Sequence, residues 1–158
     1  MNDVAVITLS MGHGFAIVDK EDFERLNRRT WSKIWSGYVV ASTTVNYKRK
    51  HFLMHREILR APRGLDVDHI NGCRFDNRRC NLRLCTRSQN LCHFTRLNRR
   101  NTSGINGVSW AKNMQKWNVK IRVDGRQLDV GHYSDLQKAA RVRRAAARIF
   151  HGQFASIV

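Results

Sequence analysis

The sequence predicts an α+β protein: an antiparallel N-terminal sheet leading into a strand-loop-strand-helix unit, then a three-stranded antiparallel sheet packed on one helix. Three observations carry this expectation. Apolar residues alternate or cluster in several short runs separated by Gly, Asn and Asp, the pattern of strands joined by turns. Between Ser134 and Phe150 the apolar positions instead form one broad helical stripe. Hydrophobic content is 42%, enough to exclude a disordered chain.

Residues 4 to 18 read as two short strands around Gly12 and Gly14. Asp19 is placed to cap a helix from Glu21 to Arg28, with acids in the first turn and arginines at the end, as the helix dipole favours. Gly37 to Thr44 and Arg49 to Met54 form a hairpin, on which Trp31 and Trp35 are expected to pack. A short helix from His55 to Leu59 ends at Pro62. Gly64 to Ile70 and Asn81 to Thr86 read as strands flanking a polar loop, and a helix runs from Ser88 to about Leu97. Apolar periodicity then disappears. This places a linker at residues 97–103, between a domain of residues 1–96 and one of residues 104–158. Beyond it, strands 105–110, 116–123 and 126–133 are separated by turns that include Asp124-Gly125, a strong hairpin signal. In the middle strand Trp117, Val119, Ile121 and Val123 share one face, and Asn118, Lys120 and Arg122 the other. The last helix, opened by Ser134, carries Leu136, Ala139, Ala140, Val142, Ala146, Ile149 and Phe150 as its apolar stripe, and the tail tucks in Phe154 and Ile157.

Charge narrows the partner. Lys and Arg number 29 against 12 Asp and Glu, a net charge of +17 that points to a polyanion. No long apolar run or lipidation signal accompanies it, so nucleic acid is preferred to a membrane surface. The N-terminus has no signal-peptide pattern, which places the chain in the cytoplasm. The four cysteines, Cys73, Cys80, Cys85 and Cys92, lack the tight paired spacing of zinc sites, and buried free thiols are expected rather than structural zinc.

The stretch from Val67 to Asn90 holds the chemistry. Asp68 and Asn90 offer hard oxygens to Mg²⁺ or Mn²⁺. His69 projects from the opposite side of its strand and can take a proton from water, while Asn81 would orient the imidazole. Arg74, Arg78, Arg79, Arg83 and Arg87 are placed to hold phosphate without choosing sequence. The motifs V-D-H-I-N-G, D-N-R-R-C-N-L-R and T-R-S-Q-N, with M-H-R-E-I-L upstream, resemble the HNH homing endonucleases common in phages. That resemblance implies a ββα-metal unit in which His69 is the general base, Asp68 and Asn90 bind the metal, and Asn81 positions the base. Asparagine at the last position, where many HNH nucleases carry histidine, points to the homing branch and away from Zn²⁺. His93 is an alternative ligand, although a surface histidine near DNA is the commoner case.

The C-terminal half has a resemblance of its own. G-V-S-W, K-W-N-V-K-I-R-V-D-G-R and L-D-V-G-H-Y resemble the APETALA2 (ethylene-response-factor) DNA-binding domain. By that resemblance a three-stranded sheet enters the major groove, with Ser109, Lys120, Arg122 and Gln127 toward DNA. Asp129 departs from the pattern, since an acid beside phosphate is repulsive. The combined expectation is a metal-dependent endonuclease that nicks or cleaves double-stranded DNA, a monomer being favoured. With one active site per chain a monomer would nick one strand, and a double-strand break would need a dimer or a second binding event. The alternative is a regulator that binds specific DNA without cutting it.

Overall fold

A computed structural model describes residues 3–93 and 97–155, apart from the side chains of Val45, Cys92 and His93. The chain divides into two compact units between Thr86 and Arg87. The division falls before the helix that carries Asn90.

In the first unit β1 (Val4–Thr8) pairs antiparallel with β2 (Phe15–Asp19). The chain passes directly into α1 (Lys20–Asn27), which buries Leu26. Asp19 occupies the N-cap position, but its side chain makes no cap bond. Its Oδ2 accepts instead from the backbone N–H of Arg79 at 2.7 Å, so the carboxylate is spent on a distant loop. Three strands follow in sheet order: β3 (Trp31–Lys33), β4 (Val39–Val45) and β5 (Lys48–Leu53). Trp31 is buried and donates its indole N–H to the Leu26 carbonyl at 2.7 Å.

Trp35 does not pack on this sheet; it is fully exposed. The turn between β3 and β4 is closed by bonds from Ile34 N to Tyr38 O and from Gly37 N to Ile34 O, leaving the intervening indole in solvent. At the other end of β4 the connection to β5 is tighter than the sequence suggests. Val45 pairs with Lys48, so only Asn46 and Tyr47 make the turn, both with positive φ (49° and 59°). α2 (Met54–Leu59) buries Met54, His55 and Ile58, and ends because Arg60 adopts a left-handed conformation (φ 47°), before Pro62 is reached. The hairpin of β6 (Asp66–His69) and β7 (Leu82–Cys85) completes the unit. Val67 and Leu82 enter the same core as Ile7, Val18, Leu26, Trp31, Met54 and Ile58. Each such aliphatic side chain contributes about 1.5–3 kcal/mol of hydrophobic stabilisation, which holds the hairpin in place.

The second unit begins with α3 (Arg87–His93). The expected continuation of this helix to Leu97 crosses residues 94–96, which lie outside the described residues. The stretch read as a linker is locally bonded. Asn101 Oδ1 accepts from the backbone of Ser103 and Gly104 at 2.9 Å each, and Ser103 Oγ donates to the carbonyls of Ile105 and Val108. β8 (Val108–Ala111), β9 (Lys116–Val123) and β10 (Arg126–Tyr133) form an antiparallel sheet in the order β10-β9-β8. Gly107 can only be glycine: φ is +80°, and a Cβ there would lie 2.3 Å from the Lys120 carbonyl.

α4 (Leu136–His151) covers the apolar face of this sheet. Its N-cap is Asp135 rather than Ser134, with the carboxylate accepting from Lys138 N at 2.5 Å. Ala139, Ala140, Ala146 and Ala147 are buried, whereas Ile149 and Phe150 are exposed, contrary to the expected stripe. A 3₁₀ turn (Gly152–Phe154) follows the helix, and Phe154 and Ala155 are buried after it; Ala155 packs on Ile121. Ile157 lies outside the described residues. Among the described residues no helix is long and apolar enough to cross a membrane.

Candidate active site

The hairpin of β6 and β7 sets the geometry. Strand alternation sends Val67 and His69 to one side and Asp66 and Asp68 to the other, and Val67, Asp68 and His69 are all buried. Asp68 faces Arg83 in the ladder, and the Arg83 guanidinium grips its Oδ2 through Nε at 2.8 Å and Nη2 at 2.5 Å. His69 lies against a second imidazole. Its ring meets His55 edge-on with centroids 5.2 Å apart, and Tyr38 lies 5.0 Å from His55 and 6.2 Å from His69. Arg74 stacks on Tyr38 at 4.6 Å and donates to the Ser36 carbonyl at 2.6 Å.

The loop between the two strands fixes the imidazole. Asn77, only 1% exposed, donates Nδ2 to the Arg74 carbonyl at 3.2 Å, so its Oδ1 is the atom facing His69 Nε2, at 3.4 Å. A neutral imidazole meeting a carbonyl oxygen carries its proton on that nitrogen. Nε2 is therefore the donor, and Nδ1 is left as the basic nitrogen. Burial, the largest influence, holds the His69 pKa below its ordinary value; Asn77 and the Asp68 charge oppose it without reversing it. His55 is pushed further, to about 3, by burial and then by the charges of His69 and Arg56. Both rings are uncharged at neutral pH, the state a general base requires.

Asn81 works on the loop rather than on the ring. Its Oδ1 accepts from Asn71 N at 3.0 Å, and its Nδ2 donates to Asn71 Oδ1 and to the Asp76 carbonyl, at 3.0 and 2.7 Å. The same loop docks on β2 through Ile17, whose N–H donates to Phe75 O and whose carbonyl accepts from Asn77 N, both at 2.8 Å.

The five arginines have separate employments. Arg78 forks onto Asp76 at 2.8 and 2.7 Å, which with burial opposing holds that carboxyl below its ordinary range. Arg79 forks onto Asp22 at 2.8 and 3.0 Å, tying the loop to α1. Arg83 holds Asp68, Arg74 lies on Tyr38, and Arg87 stands at the start of α3 in the second unit, as does Asn90 further along that helix. Sequence reasoning missed Asn77, His55 and Tyr38. The M-H-R and D-N-R-R motifs contained the first two, but only the fold brings them to the imidazole.

A family model for HNH endonucleases matches residues 60–92. Protein 3.8 of Escherichia phage T7 is 33% identical over 94 residues, which span 60% of this chain and 76% of that protein. The chain belongs to the family of that phage protein. No solved structure matches it. The matched segment contains β6, the Asn77 loop, β7 and Asn90, whereas His55 and Tyr38 precede it in the chain.

The cysteines of the HNH segment differ from expectation. Cys73 and Cys80 are exposed, and among the described thiols only Cys85 is buried, its pKa pushed up to about 11 by burial. The side chains of Cys92 and His93 lie outside the described ones. No group of three or more His, Cys, Asp or Glu side chains that could hold a metal ion occurs among the described residues.

In the second unit, the ladder pairs Ser109 with Asn118 and Gln127 with Arg122. Strand alternation then puts Ser109, Lys120, Arg122 and Gln127 on the face opposite Val119 and Ile121. Asp129, the residue that departs from the expected pattern, is occupied on that face: its carboxylate accepts from Asn118 Nδ2 and from Gly131 N, each at 3.0 Å.

Proposed function

We propose that this chain is a metal-dependent HNH endonuclease that hydrolyses phosphodiester bonds in double-stranded DNA. The observation that carries the reading is His69: a buried, uncharged imidazole within the HNH segment, its tautomer set by Asn77. Nδ1 of His69 accepts a proton from the attacking water, and Asn77 Oδ1 stabilises the imidazolium that results. His55 and Tyr38 wall the ring and keep water from charging it beforehand. Asn81 keeps the loop closed so that Asn77 stays in register.

The donor set suits a hard cation: the Asp68 carboxylate is buried, its ladder neighbour is an arginine rather than a thiol, and Asn90 would add an amide oxygen. Asp68 and Asn90 would hold Mg²⁺ or Mn²⁺, with Arg83 sharing the carboxylate. When bound, the ion supplies charge neutralisation to the phosphate and its leaving oxygen. Arg74 and Arg87 would contact phosphate, while Arg78, Arg79 and Arg83 are forked onto carboxylates. The outer face of β8 to β10, with Ser109, Lys120, Arg122 and Gln127, would lie on the duplex in the manner of an APETALA2 domain.

A supercoiled plasmid tests the reading. Conversion to open circle with Mg²⁺, its absence in EDTA, and its loss in His69→Ala are the expected results. Retention of duplex binding without cleavage by the wild-type chain would favour a non-catalytic regulator.

A further inference from the structure

The outer half of the β4–β5 hairpin is a finger with no interior. Every described side chain from Ser42 to His51 is exposed. A two-stranded ribbon of this kind buries nothing that would hold it together alone, and it stands because its base, Val39 to Ala41, is anchored in the core. Both of its faces carry cations. The ladder sets Lys48 and Lys50 on one face, Lys50 opposite Thr43, and Arg49 and His51 on the other, opposite Thr44 and Ser42, and no Asp or Glu occurs between Glu24 and Glu57.

The tip is unusual in a second way. A two-residue turn with both φ values positive favours Asn-Gly. Here the second position is Tyr47, with φ 59° and its ring fully in solvent. A bulky residue in the left-handed region is disfavoured, and this one gains no packing in return.

We propose that this finger enters the major groove of the DNA that the chain binds, with Lys48, Arg49 and Lys50 on the groove walls and Tyr47 leading to the base edges. The major groove admits a two-stranded ribbon, and both of its walls are phosphate. A ribbon resting on a flat surface needs cations on one face only; one inserted in a groove needs them on both, as here. β4 begins beside Tyr38, in the His69 cluster, and runs to the tip. Its seven residues span roughly 23 Å, or about seven base pairs, so the finger grips DNA within that distance of the scissile bond.

The inference rests on the reading of the chain as a DNA enzyme, and the test separates the two. Binding of the full chain to a fluorescent 40-base-pair DNA duplex is measured in EDTA over a range of salt. The wild type is expected to bind with a steep salt dependence. Replacing Lys48, Arg49 and Lys50 together by Gln should make the slope of log K against log salt shallower by about 2.7, three phosphate contacts' worth. Tyr47→Ala should leave that slope unchanged while removing protection of guanine N7 atoms from dimethyl sulfate, which reacts in the major groove. An RNA duplex, whose major groove is too narrow for the ribbon, should be bound equally by the wild type and the triple variant. Unaltered near-ultraviolet dichroism establishes that the variants fold. A wild-type chain that does not bind the DNA duplex sinks the enzyme reading. A binding wild type with an unchanged slope in the triple variant, or an equal loss on RNA and DNA, sinks the finger.

Discussion

Acidification tests the buried imidazole pair directly. Burial and neighbouring cations hold His55 down to about 3 against an ordinary value of 6.5, so the folded chain keeps the ring neutral at a pH where the unfolded chain protonates it. The unfolded state then binds more protons, and stability falls as pH falls below 6.5. The loss is about 1.4 kcal/mol for each pH unit, or roughly 5 kcal/mol for His55 over the descent to about 3. His69 is displaced in the same direction and adds its own part. Asp22 and Asp76 are displaced downward from 3.8, so their stabilisation is complete above that value and is lost only in stronger acid. The interval from pH 6.5 to 5 therefore isolates the histidines, and His55 alone should remove about 2 kcal/mol across it. The measurement is urea unfolding of the full chain at both pH values, followed through the indole N–H resonance of Trp31, which is buried in the first unit. His55→Gln should flatten the dependence by that amount. A variant that keeps the wild-type slope refutes the assignment of His55 as a ring held neutral by its surroundings.

Three further outcomes follow from the geometry. Asn77→Ala should slow plasmid nicking about 10- to 100-fold, in the range typical of residues that orient a reacting ligand; Asn77→Asp should move the acid limb of the rate profile to higher pH, because a carboxylate at Nε2 favours the imidazolium. Arg79→Met should cost about 1–2 kcal/mol in chemical denaturation, the half-exposed fork being discounted for solvent, while the folded fraction nicks at the wild-type rate. Gly107→Ala should destabilise the second unit by about 3 kcal/mol or more, since it combines positive φ with a Cβ set against the Lys120 carbonyl; a variant that melts with the wild type would show that this loop can shift.

Much of the architecture was legible because it rests on short-range signals. The Asp124-Gly125 turn, the alternation through β9 and the 3.6-residue period of α4 are local rules, and each element appears within a few residues of where those rules put it. Trp35 shows the opposite case. Hydrophobicity says that an indole should be buried, and only the closure of the 34–37 turn leaves it outside. The site divides the same way. Asp68 and His69 are adjacent in sequence and therefore visible together, but the partner of His69 is chosen by loop closure. Asn77 and Asn81 are equivalent as residue types, and nothing local says which one meets the ring. Likewise, five arginines near a catalytic pair suggest phosphate, whereas Asp19 and Asp22, which engage Arg79, lie some sixty positions earlier in the chain.

The docking of the Asn77 loop on β2 limits how far this chain could be shortened. Ile17 contributes no chemistry, yet its two backbone bonds to Phe75 and Asn77 hold the segment that faces His69. The family-matched stretch of residues 60–92 is thus not a portable module. Excised from the N-terminal hairpin, it would keep every reacting group and lose the backbone template that aligns them. Trimming from the front should therefore abolish turnover before it removes any residue that touches DNA or water.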